Sequence, residues 1–411
     1  MRLRLFLPFF VLVLLAACKD PGGSGSGAAS DSDAAASRLA RELPLGQFGY
    51  DLKWIGRFDR YRIVLHSGRS KVLVSAKFQG KVFSSCADGD SSSSFGWVHY
   101  DVFQKPTDPH MNAYGGEDRL WLGPEGGRFS LFFAPGAKME FANWKTPGAF
   151  DTAAWDVVSH TDESVDMRKD MELVNYAGTH LNLSIDRQVT ILSRGAIDSL
   201  LVLGVDTSVK AVAYRTVNTL TNTGAQTWTA ATGMPCLWLL DMFPPSSRTT
   251  IIIPYSGGDS SKPATTDYFG EIPSDRITIG DSVLRFTADG KSRGKLGIHP
   301  LRAKPVAGSY DSVHRVLTII LFDVEPQARY LNQEWNTTKP PFSGDAVNAY
   351  NDGPLAGGGQ MGPFYELESV SPAAFLAPRR SQVHHHSVFH FTGPEAGLDK
   401  VCRKVLGVGL K

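Results

Sequence analysis

The chain has 411 residues, a formal net charge of +1 and 20% charged residues. The balance of 42 Lys and Arg against 41 Asp and Glu argues against a nucleic-acid-binding protein, which usually carries a basic excess. A hydrophobic content of 42% is typical of a globular chain, and 41 Gly with 24 Pro favour many short strands joined by turns over long helices.

Residues 1–17 resemble a bacterial lipoprotein signal peptide. Arg2 and Arg4 precede a short apolar run that ends in two alanines, and Cys18 follows directly. The run is too short to span a bilayer comfortably. The resemblance implies cleavage before Cys18, lipidation of Cys18, and a place in the cell envelope at the periplasmic face or the cell surface. The alternative is an ordinary secretory peptide followed by a chance cysteine, and export is expected in both cases.

The next segment is expected to be a tether. Residues 19–37 are rich in Gly, Ser, Ala and Asp, a composition typical of flexible linkers. We therefore predict a lipidated cysteine and flexible tether over residues 18–44. Residues 45–411 contain no second long linker and no internal repeat, and we predict that they form a single β-sandwich domain.

Alternation of apolar and polar residues between turn residues predicts about a dozen strands in this body. The predicted strands are Tyr61–His66, Lys71–Ser85 with an interruption at Gly80, Arg128–Phe133, Leu181–Leu192, Leu200–Val205, Val209–Leu220, Thr249–Pro254, Val283–Ala288, Val316–Val324, Pro363–Ser369 and His384–Phe391. Short helices are predicted at Ser37–Leu43 and Gly397–Leu406. This pattern predicts an all-β fold, a large antiparallel β-sandwich with few short helices.

Glu366 and Glu368 are the candidate catalytic residues. Side chains at positions i and i+2 of a strand point to the same face, about 7 Å apart. Two carboxylates on one sheet face cannot both lie in a dry core, so they need a cleft, a cation or a hydrogen-bonded ligand. Repulsion between them raises one pKa and favours acid/base chemistry. The alternative is a solvent-facing strand that carries two glutamates.

Aromatic, amide and charged side chains elsewhere suit the recognition of a sugar, because flat rings stack on pyranose faces and polar groups bond its hydroxyls. The candidate substrate-binding residues are Glu117, Arg119, Trp121 and Glu125 in a glycine-rich segment, Trp238 and Asp241 after a central strand, and Asn336 and Asn351 in a long loop. The alternatives are a structural turn with a buried Arg–Glu pair, core packing of Trp238, and a polar surface loop.

Histidines and cysteines give weaker signals. His384, His386 and His390 share one face of a predicted strand, which admits a metal site, but no acidic partner is evident from spacing. We predict neither a metal nor a cofactor. Three cysteines besides Cys18 have no metal-type spacing, and no pairing is assigned to them.

Three segments, taken in chain order, resemble the aldose 1-epimerase (galactose mutarotase-like) superfamily. Within that fold, the chain more closely resembles uncharacterised bacterial lipoproteins. The segments are Lys71–Ser85 followed by Tyr114–Gly127, then Thr216–Gly224 (TVNTLTNTG) followed by Leu237–Asp241, and then Phe364–Pro372 followed by the histidine-rich strand. The resemblance implies a large β-sandwich, sugar-contacting residues in the glycine-rich segment, and a catalytic glutamate in the late strand.

The chain departs from the superfamily at one catalytic position. The epimerases carry a histidine just after the central strand, whereas Met234–Asp241 contains none. His160, His180 or His299 are the remaining candidates for the acid. We therefore expect a cell-envelope lipoprotein that binds a carbohydrate in a cleft, with epimerase-type acid/base chemistry. The alternatives are a non-catalytic glycan-binding lipoprotein, and a glycoside hydrolase or lyase that uses Glu366 and Glu368. The expected partners are a carbohydrate and the membrane through Cys18, and no nucleic acid.

Overall fold

The computed structural model describes residues 43–204, 206–257, 262–355 and 357–411. The predicted signal peptide, the lipidation site Cys18 and nearly all of the predicted tether lie outside these residues, as does most of the predicted helix Ser37–Leu43. Residues 43–411 form one compact unit. Within the described ranges, none of the helices has the length and apolarity needed to cross a bilayer.

The described residues form eighteen strands and three α-helices. The strands are β1 (Ile63–Ser67), β2 (Ser70–Ser75), β3 (Lys81–Cys86), β4 (Arg119–Gly123), β5 (Asp156–His160), β6 (Ser164–Val174), β7 (His180–Ile191), β8 (Lys210–Asn222), β9 (Cys236–Phe243), β10 (Thr249–Pro254), β11 (Ile277–Ile279), β12 (Val283–Thr287), β13 (Gly294–Ile298), β14 (Val306–Asp311), β15 (Val316–Phe322), β16 (Val347–Asn351), β17 (Tyr365–Val370) and β18 (Ser381–Thr392). The helices are α1 (Phe48–Gly56), α2 (Arg194–Leu201) and α3 (Glu395–Leu406).

Two large antiparallel sheets pack against each other. The larger sheet has ten strands in the order β11-β12-β10-β14-β15-β18-β8-β7-β6-β5, and the smaller has five in the order β13-β16-β17-β9-β4. A third sheet contains β1, β2 and β3. Hydrogen bonds join the two large sheets, for example between the Ser309 and Tyr365 hydroxyls at 2.8 Å. The predicted all-β sandwich is therefore confirmed.

Two predicted strands are wrong. Leu200–Val205 overlaps the end of helix α2. Ser193 caps the start of this helix, and its side chain accepts a hydrogen bond from the Ala196 amide. Residues 128–133 form turns, although Phe129, Phe132 and Phe133 are buried. In both places the apolar residues predict a strand, but a short apolar run does not distinguish a strand from a helix or a buried turn.

The pattern also missed strands that are buried on both faces. Every residue of β9 is buried, so its sequence CLWLLDMF shows no regular alternation. Lys71–Ser85 is not one strand but two, β2 and β3, separated by a turn in which Gly80 has φ +61°. The left-handed backbone at this position favours glycine.

The five-stranded sheet has two faces with different surroundings. Alternation along the strands and the pairing register assign each side chain to one face. The inner face points to the ten-stranded sheet and includes Leu120, Leu239, Asp241, Leu367 and Ser369. The outer face points away from it and includes Arg119, Trp121, Trp238, Leu240, Lys295, Asn348, Tyr350, Glu366 and Glu368.

Candidate functional site

The pairing register brings one predicted acid and the predicted arginine together on the outer face. Arg119 of β4 lies opposite Leu240 of β9, which in turn lies opposite Glu368 of β17. Glu366 is two residues along β17, and its Oε1 accepts a hydrogen bond from Arg119 Nη2 at 2.5 Å. The two side chains keep only 7% and 8% exposure. They form a nearly buried ion pair that joins β4 to β17 across the intervening strand β9.

Glu368 has its own cation, which the sequence did not reveal. Lys295 Nζ of β13 donates to Glu368 Oε2 at 2.8 Å, and Trp238 Nε1 donates to the same oxygen at 2.9 Å. The other oxygen, Oε1, is buried and has no hydrogen-bond partner among the described residues. Lys295 was missed because it follows a glycine in a short strand with no recognisable motif.

The two tryptophans hold these cations in place. The Arg119 guanidinium carbon lies 4.7 Å from the centre of the Trp121 ring, and Lys295 Nζ lies 4.7 Å from that of Trp238. The two indoles meet edge to face with their centres 5.8 Å apart. Cation–π attraction is strongest where water is excluded. The site therefore consists of two parallel units, each with a glutamate, a cation and an indole.

Burial sets the protonation of the acids. Burial raises the pKa of Glu366 to about 7; the charge of Glu368 acts in the same direction, while Arg119 and Lys295 oppose it. Burial also raises the pKa of Glu125, and the charge of Lys295 opposes that increase. A carboxyl group that titrates near neutral pH can both accept and donate a proton. The outer face is thus equipped for acid/base chemistry.

The structure brings six of the predicted site residues to this region: Arg119, Trp121, Glu125, Trp238, Glu366 and Glu368. Four others lie elsewhere. Glu117 and Asp241 are buried toward the ten-stranded sheet, where they bond to histidines. Asn336 accepts a bond from the Thr338 amide within its own loop, and Asn351 bonds to the backbone at residues 290 and 292. Spacing along the chain could not reveal which side of a strand each residue takes.

No histidine is among the residues that the register places on the outer face. Leu240 takes the position between Arg119 and Glu368. The three histidines considered from the sequence lie in β5 (His160), in β7 (His180) and just after β13 (His299). The charged hydrogen-bond donors that contact the two glutamates on this face are therefore Lys295 and Arg119.

Two surface depressions, of about 260 and 410 Å³, lie away from the glutamates. They are lined by residues of β6, β7 and β8, including Asp166 and Gln188 in the first and Arg168 and Glu172 in the second. Both are on the ten-stranded sheet, and neither includes Glu366 or Glu368. Arg119, Glu366 and Lys295 each keep about 5–6% of their surface exposed, and Glu368 is fully buried.

A second polar cluster lies between the two large sheets. Arg187 donates to Asp118 at 2.8 Å, and both side chains are fully buried. His386 Nε2 lies 2.8 Å from Asp241, and Ser369 Oγ bonds to both His386 Nδ1 and His384 Nε2. Among the described residues, one trio of side chains could hold a metal ion: the ligand atoms of Asp118, Asp241 and His386 lie within 4.8 Å of one another.

The sandwich has the galactose mutarotase-like fold. A protein from Escherichia coli K12 described as a "putative aldose 1-epimerase" superposes with a TM-score of 0.50 at 15% identity, over 80% of this chain and 98% of that one. The Slr1438 protein of Synechocystis sp. PCC 6803 gives 0.48 at 13% identity, over 81% and 96%. A galactose mutarotase-like protein of Lactobacillus casei ATCC 334 gives 0.44 at 11%, over 80% and 99%. The resemblance predicted from the three segments is thus confirmed at the level of the fold.

Residues 46–411 match the model of the family of unknown function DUF6786, and the chain belongs to this family. No curated protein matches the chain.

Proposed function

We propose that the protein is a cell-envelope lipoprotein that binds a carbohydrate on the outer face of the five-stranded sheet and interconverts its anomers by acid/base catalysis. The observation that carries the proposal is the pairing of Glu366 with Arg119 and of Glu368 with Lys295, each cation resting on an indole. The shared fold with a protein described as a "putative aldose 1-epimerase" supports the same class of ligand.

The roles follow from the chemistry of ring opening. The anomeric hydroxyl loses a proton while the ring oxygen gains one, and the bond between the anomeric carbon and the ring oxygen breaks. Glu366 accepts the first proton, since burial raises its pKa to about 7. The Lys295 ammonium donates to the ring oxygen, and Glu368 holds this ammonium in position. Ring closure from the opposite face of the carbonyl reverses both transfers.

One observation favours a second function, a non-catalytic glycan-binding lipoprotein. Leu240 occupies the position between Arg119 and Glu368. The superfamily resemblance leads us to expect a histidine as the catalytic acid, and this position has none. In this case the two ion pairs would orient sugar hydroxyls without proton transfer, as charged and aromatic side chains do in sugar-binding sites.

The experiment combines binding and turnover on the full chain. D-galactose and D-glucose are titrated by calorimetry, and anomer exchange is followed by NMR. Glu366→Gln is expected to lower the exchange rate by about 10²–10⁴-fold, the usual contribution of a general base. The matched control is Glu172→Gln, an exposed glutamate of β6 on the other large sheet, which should leave the rate unchanged.

The outcomes separate the alternatives. Binding without acceleration of exchange selects the glycan-binding function. Release of reducing ends from an oligosaccharide selects a glycoside hydrolase or lyase that uses Glu366 and Glu368. Exchange that Glu366→Gln leaves intact contradicts the assignment of the base, and absence of any sugar binding contradicts the proposal as a whole.

The membrane anchor is tested separately. In the bacterial host, the full chain is expected in the membrane fraction and the Cys18→Ser variant in the soluble fraction, because acyl chains on Cys18 supply the membrane affinity. A variant that stays in the membrane fraction would contradict lipidation at Cys18.

A further inference from the structure

The buried cluster between the two large sheets carries more negative charge than its partners balance. Glu117, Asp118 and Asp241 are all fully buried. Arg187 is the one arginine or lysine that bonds to the cluster among the described residues. With all three carboxyl groups ionised and the histidines neutral, the cluster has an excess of two negative charges. Buried charge without compensation is strongly unfavourable.

The bonding of the cluster leaves oxygen atoms free. Asp118 uses Oδ1 for Arg187, and Asp241 uses Oδ2 for His386. Asp118 Oδ2 and Asp241 Oδ1 are buried and have no hydrogen-bond partner within the described ranges. Such unpaired buried acceptors are rare in folded proteins and call for a specific explanation.

A third group points to the same place independently. The Tyr214 hydroxyl of β8 is fully buried and lacks a hydrogen-bond partner in the described part of the chain. Burial and the nearby charges of Glu117, Asp118 and Asp241 raise the pKa of Tyr214. Tyr214 lies on the same face of β8 as Thr216, which pairs with His386 of β18, so it brings a further unpartnered oxygen to the side of the ten-stranded sheet that carries the cluster.

We propose that Asp118, Asp241 and His386 bind one divalent transition-metal ion of the Zn²⁺ or Mn²⁺ class between the two sheets. Their ligand atoms lie within 4.8 Å of one another. A tetrahedral ion with bonds of about 2.0–2.1 Å holds its ligand atoms about 3.3 Å apart, so small side-chain rotations close the site. Carboxylate oxygens with an imidazole nitrogen suit these ions, and two positive charges balance the cluster.

The surrounding bonds already resemble the outer shell of a metal site. Ser369 Oγ lies 3.0 Å from His386 Nδ1, so it fixes the ring while Nε2 faces the carboxylates. Arg187 donates to Asp118 Oδ1 and leaves Oδ2 free. Arg187 is itself held by bonds to Asn218 and to the Gly80 carbonyl. Such partners orient the ligands of known metal sites. Because the ion would tie β4, β9 and β18 together, its role is structural rather than catalytic.

The test measures metal content and stability, neither of which depends on sugar chemistry. The full chain is purified without chelators or metal-affinity resin, and its metals are counted by plasma mass spectrometry. We expect about one Zn or Mn per chain. Removal with dipicolinate should lower the melting temperature by at least about 3 °C, and added ZnCl₂ or MnCl₂ should restore it.

Variants locate the ion. His386→Gln should lose the metal, whereas His384→Gln, the neighbouring histidine on the same strand face, should keep it. If His386→Gln does not fold, the wild-type titration still decides. Less than about 0.1 ion per chain, together with a melting temperature that neither added metal raises, overturns the proposal. Metal retained at full stoichiometry in folded His386→Gln overturns the assigned site.

Discussion

The two faces of the five-stranded sheet carry the same residue types in different arrangements. On the outer face each glutamate has one cation, and the Arg119–Glu366 pair keeps a narrow exposed edge. On the inner face the Asp118–Arg187 pair is fully dry, and Arg187 bonds to Asn218 and to a backbone carbonyl as well. Arg187, each of whose nitrogens donates a hydrogen bond, stabilises one arrangement of the sheets. The Arg119–Glu366 pair instead keeps an edge at which a ligand can bind.

The largest expected difference between the faces is in folding. Asp118→Asn should lower the free energy of unfolding by about 3–5 kcal/mol, because it removes the carboxylate that pairs with the fully buried Arg187 guanidinium. The measurement is urea unfolding of the full chain at pH 7. The control is Asp170→Asn, whose pair with Arg168 is exposed and should contribute at most about 1 kcal/mol. Equal effects of the two substitutions would contradict the structural role of the inner cluster.

The same chemical change on the outer face should affect stability far less. Glu366→Gln removes a charge that burial already disfavours, since the pKa of this carboxyl is raised to about 7. The amide oxygen still accepts from Arg119, so we expect a change in unfolding free energy below about 1 kcal/mol at pH 7. Urea unfolding checks this. A loss as large as that of Asp118→Asn would remove the distinction between the two faces.

A third expected effect is a pH dependence from His384, which bonds to Ser369 of the inner face. Burial lowers the pKa of His384 to about 3, and the charge of His386 acts in the same direction. Below its ordinary value of 6.5 the unfolded chain binds this proton and the folded chain does not, so stability falls as the pH decreases toward 3. Wild-type protein should therefore lose about 1 kcal/mol relative to His384→Gln between pH 6 and pH 5.

Urea midpoints of both proteins across this pH range give the measurement. Burial raises the pKa of Asp241 to about 7, so the contribution of Asp241 to stability rises as the pH falls. Asp241 is present in both proteins, and its effect cancels in the comparison. Parallel stability curves for wild type and His384→Gln would show that His384 is not held neutral by the fold.

Several features of the fold and of the site were predictable from sequence. Strands partly exposed on one face alternate clearly, so β12 (Val283–Thr287) was predicted to within one residue of its limits. The i, i+2 spacing placed Glu366 and Glu368 on the same face before the structure was known. Strands buried on both sides, such as β9, escaped because burial on two faces removes the alternation.

Partners between strands were beyond the reach of the sequence. Lys295 stands 73 residues before Glu368 along the chain, and only the order β13-β16-β17 places the two on one face. Asp241 shows the converse: it stands beside the predicted Trp238 in sequence, but strand alternation turns it to the opposite face, where it meets His386.

The sequence by itself determined that this chain is a β-sandwich with two acidic side chains on one face of a late strand, because local alternation and turn residues act over a few neighbouring positions. The tertiary structure decided which cation each acid meets, which carboxylates lie inward with the histidines, and that Leu240 lies between Arg119 and Glu368. Those choices depend on strand order and register, which arise from contacts between residues far apart in the chain.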